Sequence, residues 1–243
     1  MAPMLVTRPE PDAADTVARL GALGIDAVSV PLLERATLHT SLPDPQGFAA
    51  LALTSVNTLR ALDERGALGG WLDTPVFAVG ERTAEAARAA GFAAVTACGG
   101  TLAGVVAALA GATRAGPVFY PAARHQSGDL AQELAPHGIL TVTAKVYEMR
   151  AASTLPAAVR EGLARNLYAA ALFYSRRTAE TFVALTASLD AAARSELRVL
   201  CLSEQVAEPL LAGRYVRVGL CDHPSEEAMM ALALSFARDQ NAP

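Results

Sequence analysis

The sequence predicts an α/β protein in which one βα pattern is written twice along 243 residues. Three observations carry that expectation. A shift of 114 places Asp15 on Asp129, Leu20 on Leu134, Gly24 on Gly138, Ile25 on Ile139, Val28 on Val142 and Glu34 on Glu148. A shift of 120 pairs Ser55 with Ser175 and Thr58 with Thr178, and a shift of 123 pairs Glu81 with Glu204, Ala84 with Ala207, Glu85 with Glu208 and Cys98 with Cys221. Secondly, short apolar, β-branched runs alternate with amphipathic segments of about 10 to 14 residues, the pattern of parallel sheets covered by helices. Thirdly, the offset grows only where loops are expected, at 38–47 and 150–157.

In chain order, strands are expected at 4–8, 25–33, 49–54, 75–80, 93–98, 117–121, 139–147, 169–174, 198–203 and 215–220. Helices fill the gaps, among them 12–23, 81–90, 101–111, 125–136, 176–188, 204–212 and 225–238. Thr101 reads as an N-cap, Glu226 and Glu227 belong in a first turn after Pro224 and Ser225, and Gly91 and Gly138 sit just past helix ends. Ten strands divide into two five-stranded sheets. The sheets either follow one another, with a crossing near Arg114-Ala115-Gly116-Pro117, or are nested, the middle of the chain forming one domain and both ends the other. The long runs 25–34 and 139–148 favour nesting: each exceeds a usual strand, and each is interrupted, by Pro31 or by Lys145. Two such crossings in opposite directions would pair antiparallel.

Composition narrows the function. The 52% hydrophobic fraction suffices for two cores, and no apolar run approaches the ~20 residues of a membrane span. The start reads as a first strand and not as a secretory signal, so a cytoplasmic protein with no membrane partner is expected. Net charge is −4 with no basic tail, which argues against nucleic acid. Cys98, Cys201 and Cys221 lie in apolar strands as reduced core residues, and the histidines are scattered, so no metal is expected. Lys145 is the only lysine among 20 basic residues, so basic ligand contacts fall mostly to guanidinium, suited to carboxylate or phosphate.

In open parallel sheets ligands bind beyond the carboxyl ends of the strands. Those positions hold Thr7 and Arg8, Thr54 to Asn57, Gly80 to Thr83, Gly99 to Thr101, Arg124 and His125, Ser175 to Arg177, Ser203 to Gln205, and Cys221 to His223. Each residue type is also an ordinary helix cap. Together, on two units facing one another, they suit an anionic ligand that accepts many hydrogen bonds. Neither dinucleotide and P-loop glycine patterns nor the hydrolase elbow occurs, leaving a cofactor-free site as the default.

Five segments, in order along the chain, resemble uroporphyrinogen-III synthase: Val6-Thr7-Arg8-Pro9, Leu53-Thr54-Ser55-Val56-Asn57, Ala78-Val79-Gly80-Glu81-Arg82-Thr83-Ala84, Val146-Tyr147 and Phe173-Tyr174-Ser175-Arg176. The resemblance implies two similar flavodoxin-like parallel-sheet domains, the second inserted in the first and joined by a two-stranded antiparallel ladder, with one domain from 1–35 plus 150–243 and the other from 36–149. It implies a cyclising hydro-lyase of haem and porphyrin biosynthesis, without metal or organic cofactor. The substrate would be hydroxymethylbilane, a linear tetrapyrrole with eight carboxylates. The terminal hydroxyl leaves as water, ring D is attacked at its substituted carbon through a spiro intermediate, and the ring closes with ring D inverted. Tyr147 matches the family's ladder tyrosine, as proton donor or positioner. Thr7, Arg8, Thr54, Ser55, Thr83, Arg124, Ser175, Arg176 and Ser203 are the candidate carboxylate ligands, on a chain expected to act as a monomer. Val206 and Gln205 stand where many members carry hydroxyls, and Arg124-His125-Gln126-Ser127-Gly128 departs from the family pattern. A non-catalytic two-domain binding protein for a small anionic ligand, and a glycosyl- or nucleotide-sugar transferase built on paired α/β domains, for which these domains are small, are the rival readings.

Overall fold

The structure, a computed structural model, describes residues 2–112, 116–126 and 128–241. The proposed crossing at Arg114 and Ala115, and Ser127, lie outside the described residues. The chain divides into two compact units, one of 1–34 with 150–243 and one of 35–149.

In the first unit the strands are β1 (Met4–Val6) and β2 (Ala27–Ser29), and then, on the return, three more. Between them the second unit holds β4 (Ala50–Leu53), β5 (Val76–Ala78), β6 (Val95–Ala97) and β7 (Val118–Ala123), and most of β3 (Leu33–Thr37) and β8 (Thr141–Ala151), whose outer ends belong to the first unit. The first unit's remaining strands are β9 (Ala170–Phe173), β10 (Arg198–Cys201) and β11 (Arg217–Leu220). The first sheet has the order β2-β1-β9-β10-β11, and the second β3-β8-β7-β4-β5-β6. Five strands in each are parallel to their neighbours.

The sequence offsets carry each parallel strand of one sheet onto a strand of the other, register included. Met4 lies opposite Ala27 and Ala170; 114 and 120 residues away, Val118 lies opposite Thr141 and Ala50. Val199 sits between Ala171 and Val218 as Val76 sits between Leu51 and Val95.

Alternation along each strand feeds two cores. Leu5, Ala171, Phe173, Val199 and Cys201 pack on one face of the first sheet, and Met4, Val6, Ala170, Leu172 and Leu200 on the other. Both faces being apolar is what parallel sheets between helices require. The helices are α1 (Asp12–Ala22), α2 (Val56–Glu64), α3 (Glu81–Ala89), α4 (Leu102–Gly111), α5 (Leu130–Leu134), α6 (Ala157–Ala164), α7 (Arg176–Leu185), α8 (Ala191–Glu196), α9 (Glu204–Ala212) and α10 (Glu226–Asn241). Helix α1 shows the expected geometry: Ala13, Thr16 and Leu20 are buried at helical spacing. In the second unit Trp71 stacks on Phe119 with ring centroids 4.5 Å apart, and Phe48 meets Trp71 edge-on at 5.4 Å.

Four expectations need correction. The strand expected at 25–33 is two strands in two sheets. Val30 and Leu32 still donate N–H bonds to Val6 and Thr7 oxygens, at 2.8 and 3.2 Å, but Pro31 between them has no N–H, and the chain leaves β1 there. The two five-stranded sheets are therefore five- and six-stranded, β3 having joined the edge of the second. Beside it, β8 runs through Lys145 without a break and antiparallel to β3: Leu38 N–H donates to Val146 O at 2.8 Å and Ala152 N–H to Leu32 O at 2.9 Å. The helix expected over 125–136 starts only at Leu130, because the Asp129 carboxylate accepts from the Ala131 and Gln132 N–H groups at 3.0 and 3.2 Å and fixes the N-cap there. No described helix is long and apolar enough to cross a membrane.

Candidate active site

At the carboxyl end of β4 the chain presents Thr54 and then Ser55, which caps α2 by accepting from Asn57 N–H at 3.1 Å. Two strands bring phenols to the same end of this sheet. Tyr120 is in β7, with its hydroxyl 3.1 Å from the Thr54 hydroxyl. Tyr147 arrives on β8 by a bulge: Ala122 pairs with Lys145, but Ala123 pairs with Tyr147, leaving Val146 as the extra residue. Strict alternation would put Val146 and Tyr147 on opposite faces. The bulge re-aims Tyr147 so that both pack in one core cluster, with Ala144.

These residues line a cavity of about 280 Å³, together with His125, Gln126 and the turn at Gly100. Tyr147 is only 6% exposed. Burial pushes its phenol above the ordinary tyrosine pKa, the nearby Tyr120 pushes the same way, and a hydrogen bond with Ser55 and the positive charge of Arg35 oppose this more weakly. The net direction is upward, so Tyr147 stays protonated through neutral pH. A neutral phenol anchored to a helix-capping serine at a cavity wall can donate a hydrogen bond or a proton to a leaving oxygen. Next to it, buried Glu148 is paired with Arg124 at 2.6 Å, and Arg124 N–H donates to Tyr147 O at 2.8 Å. Arg124 thus flanks the phenol's backbone while its guanidinium, half exposed, is held by a carboxylate of the same unit.

Elsewhere in this unit, Thr83 is buried in α3 beside Ala84 and Ala87, facing the core and not the cavity. In the first unit Thr7 is 1% exposed and its hydroxyl donates to Leu172 O at 2.6 Å, tying β1 to β9. Arg8 is largely buried in an internal cluster. Its guanidinium lies 4.2 Å above the Tyr174 ring, donates to Asp12 at 3.0 Å and to Thr16 at 3.1 Å, and pairs with Glu226. Burial lowers the Arg8 pKa, but the carboxylates of Glu226 and Asp12 outweigh it and the net shift is upward. Ser175 caps α7, accepting from Thr178 N–H at 3.2 Å, and Arg176 on that first turn bonds Glu180 at 2.9 Å and pairs with Glu208. Ser203 stands at the N-cap of α9 with its hydroxyl making no cap bond.

The structure therefore brings together Thr54, Ser55 and Tyr147, places Arg124 beside them, and turns Thr7 and Thr83 inward. Tyr120 and Gln126 line the same cavity and Lys145 bonds to Gln126, and none of the three stands out in the sequence as a site residue. Tyr120 sits inside the apolar run Val118-Phe119-Tyr120, where nothing separates a ligand-facing phenol from a core aromatic. Gln126 carried a faint signal, as the third polar residue after a strand's carboxyl end. Among the described residues no cluster of three or more His, Cys, Asp or Glu side chains is placed to hold a metal.

The family profile described as Uroporphyrinogen-III synthase HemD matches residues 14–231, nearly the whole chain. The chain belongs to the uroporphyrinogen-III synthase family. The uroporphyrinogen-III synthetase of Helicobacter pylori 26695 shares its fold, with a TM-score of 0.68 at 22% identity, covering 97% of this chain and 99% of that one. A mutant uroporphyrinogen III synthase from the extremely thermophilic bacterium Thermus thermophilus matches with a TM-score of 0.55 at 18% identity, covering 99% of both chains. No curated protein matches the sequence. As a uroporphyrinogen-III synthase family member the chain is a lyase of tetrapyrrole biosynthesis that acts on a small molecule, cyclising hydroxymethylbilane to uroporphyrinogen III.

Proposed function

We propose that the cavity of Thr54, Ser55, Tyr120 and Tyr147 is where this uroporphyrinogen-III synthase handles the reacting end of hydroxymethylbilane, with Tyr147 protonating the departing hydroxyl. The observation that carries this reading is the placement of Tyr147: a protonated phenol, bulged out of its strand onto a cavity wall and held by Ser55. Loss of hydroxide from an electron-rich pyrrole needs little more than one proton at the oxygen, so one general acid suffices. The larger task is to hold a flexible chain curled until its ends meet, which is entropic positioning.

In this proposal the two units are two flavodoxin-like domains, 36–149 inserted into 1–35 plus 150–243, with β3 and β8 as the antiparallel ladder that joins them. Thr54, Ser55 and Arg124 bind carboxylates in the inserted domain. Ser175, Arg176 and Ser203 supply donors from the discontinuous domain, where α7 and α9 begin. Thr7 ties β1 to β9 through its hydroxyl, Thr83 supports the core, and Arg8 contributes by holding α10 to β1. The enzyme works as a cytoplasmic monomer without nucleic acid or membrane partners and without a cofactor. To test the reading, purified protein is given enzymatically generated hydroxymethylbilane without added metal or nucleotide. Predominantly type III product supports it; only the spontaneously formed type I isomer sinks it.

A further inference from the structure

Two polar side chains of the cavity, His125 and Gln126, have no role in the proposed function, and the amide is the one with an unmet bond. Gln126 follows β7 and lines the same space as Tyr120 and Tyr147. Its carbonyl oxygen accepts from the Lys145 ammonium, the only lysine of the chain. An ammonium can only donate, so this contact fixes which end of the amide is oxygen and which is nitrogen. The nitrogen, Nε2, is left buried without any hydrogen-bond partner among the described residues. A buried amide donor with no acceptor costs free energy and calls for an explanation. No described acidic residue lines the cavity to satisfy it: the polar side chains there are hydroxyls, an imidazole and this amide.

The geometry points to Gln126 as a carboxylate-binding residue: its Nε2 donates to one carboxylate of the bound tetrapyrrole, while Lys145 acts as a positioning residue that orients the amide. This rests on the proposed function of the cavity and adds to it the group that would otherwise leave a hole in its hydrogen bonding. An amide held by a cation at its oxygen end is polarised toward donation at the nitrogen end, which strengthens a bond to an anion. Lys145 lies opposite Ala122 in the sheet, one step before the bulge that carries Tyr147. The regular part of β8 therefore sets the ammonium behind the amide, and the bulge that follows sets the phenol.

The test uses the full chain with Gln126→Leu and Gln126→Glu, the latter preserving size. With hydroxymethylbilane, the inference expects KM to rise about tenfold or more for Leu, the scale of a lost bond to a charged group. It expects a larger rise for Glu, whose charge repels the ligand, with kcat within about twofold of wild type in both. Lys145→Met should raise KM by less, and Lys145→Arg should restore it. A parallel titration of Trp71 fluorescence with uroporphyrin III, the oxidised product bearing the same carboxylates, reads binding without turnover. Weaker uroporphyrin binding by the Gln126 variants supports the inference even if the wild type makes no type III product, an outcome that would sink the catalytic reading alone. Unchanged KM and unchanged uroporphyrin binding in both Gln126 variants overturn it.

Discussion

Replacing Tyr147 with phenylalanine removes one oxygen from a wall of the cavity and leaves the ring in its cluster with Ala144, Val146 and Phe119. The structural cost is small. The lost bond to Ser55 contributes about 1 kcal/mol, and the Ser55 oxygen keeps the Asn57 N–H as a partner, so it is not stranded. A thermal midpoint lower by only a few degrees follows. The catalytic cost is larger if the phenol delivers the proton, because a positioned general acid accelerates its step by roughly 10² to 10⁴-fold. That range corresponds to about 3 to 5 kcal/mol of activation free energy. The assay supplies hydroxymethylbilane from a coupled enzyme, stops the reaction by oxidation, and separates type I from type III porphyrin chromatographically. The variant should show kcat lower by about a hundredfold or more, a shift toward type I product, and a fold indistinguishable by circular dichroism. A wild-type rate with a wild-type isomer ratio would refute the reasoning and leave Tyr147 a structural residue.

Further outcomes follow from contacts away from the phenol. A Cβ on Gly104 would overlap the Cys98 carbonyl oxygen, where the start of α4 passes the end of β6. Gly104→Ala should therefore destabilise by about 3 kcal/mol, the upper end of overpacking costs, as read by urea denaturation; an unchanged midpoint would contradict the close approach. Thr7→Val should lose about 1 to 3 kcal/mol by stranding Leu172 O, with KM unchanged, whereas a raised KM would return Thr7 to the binding site. Arg8→Ala should destabilise by about 1 to 3 kcal/mol, since it removes the cation that donates to both Asp12 and Glu226; a stability loss below about half a kcal/mol would dissolve that cluster as a structural device. Burial raises the pKa of Tyr147, Tyr174 and Tyr215 and of the Cys98, Cys201 and Cys221 thiols, that of Cys201 to about 12. These groups ionise first in the unfolded chain, so their contribution is complete below about pH 8 and drains away as pH climbs past about 9 to 10. Denaturation midpoints that stay level across that alkaline range would contradict the burial of these groups.

What the sequence disclosed was mostly periodic. The offsets of 114, 120 and 123 are visible as identities because most aligned residues hold the same place in equivalent βα units, in helices, caps and turns as well as in strands, and parallel strands buried on both faces read as unbroken apolar runs. Caps at Thr101 and Ser225 were legible for the same reason: a hydroxyl before a helical segment has a local job, here accepting from Gly104 and Ala228 at 3.0 and 3.1 Å. Events without a local signature were hidden. The exchange of sheets at Val30-Pro31-Leu32 looks like one long strand, since both halves are extended and apolar. The bulge at Val146 leaves no mark in the composition of β8, yet it decides where Tyr147 points. Thr7 and Thr83 match the family's pattern as letters, but whether a threonine hydroxyl turns to solvent or to a neighbouring carbonyl depends on packing that letters do not encode. Gln126 could be found only by asking which buried donor lacks an acceptor.

The most direct measurement is a crystal structure of the full chain with its cyclised tetrapyrrole product bound. The account predicts that the Tyr147 hydroxyl lies within hydrogen-bond distance of the product's ring D side of the macrocycle, with a carboxylate of the product against Ser55 and Gln126. A product bound with the space between Tyr120 and Tyr147 still filled by solvent would contradict it.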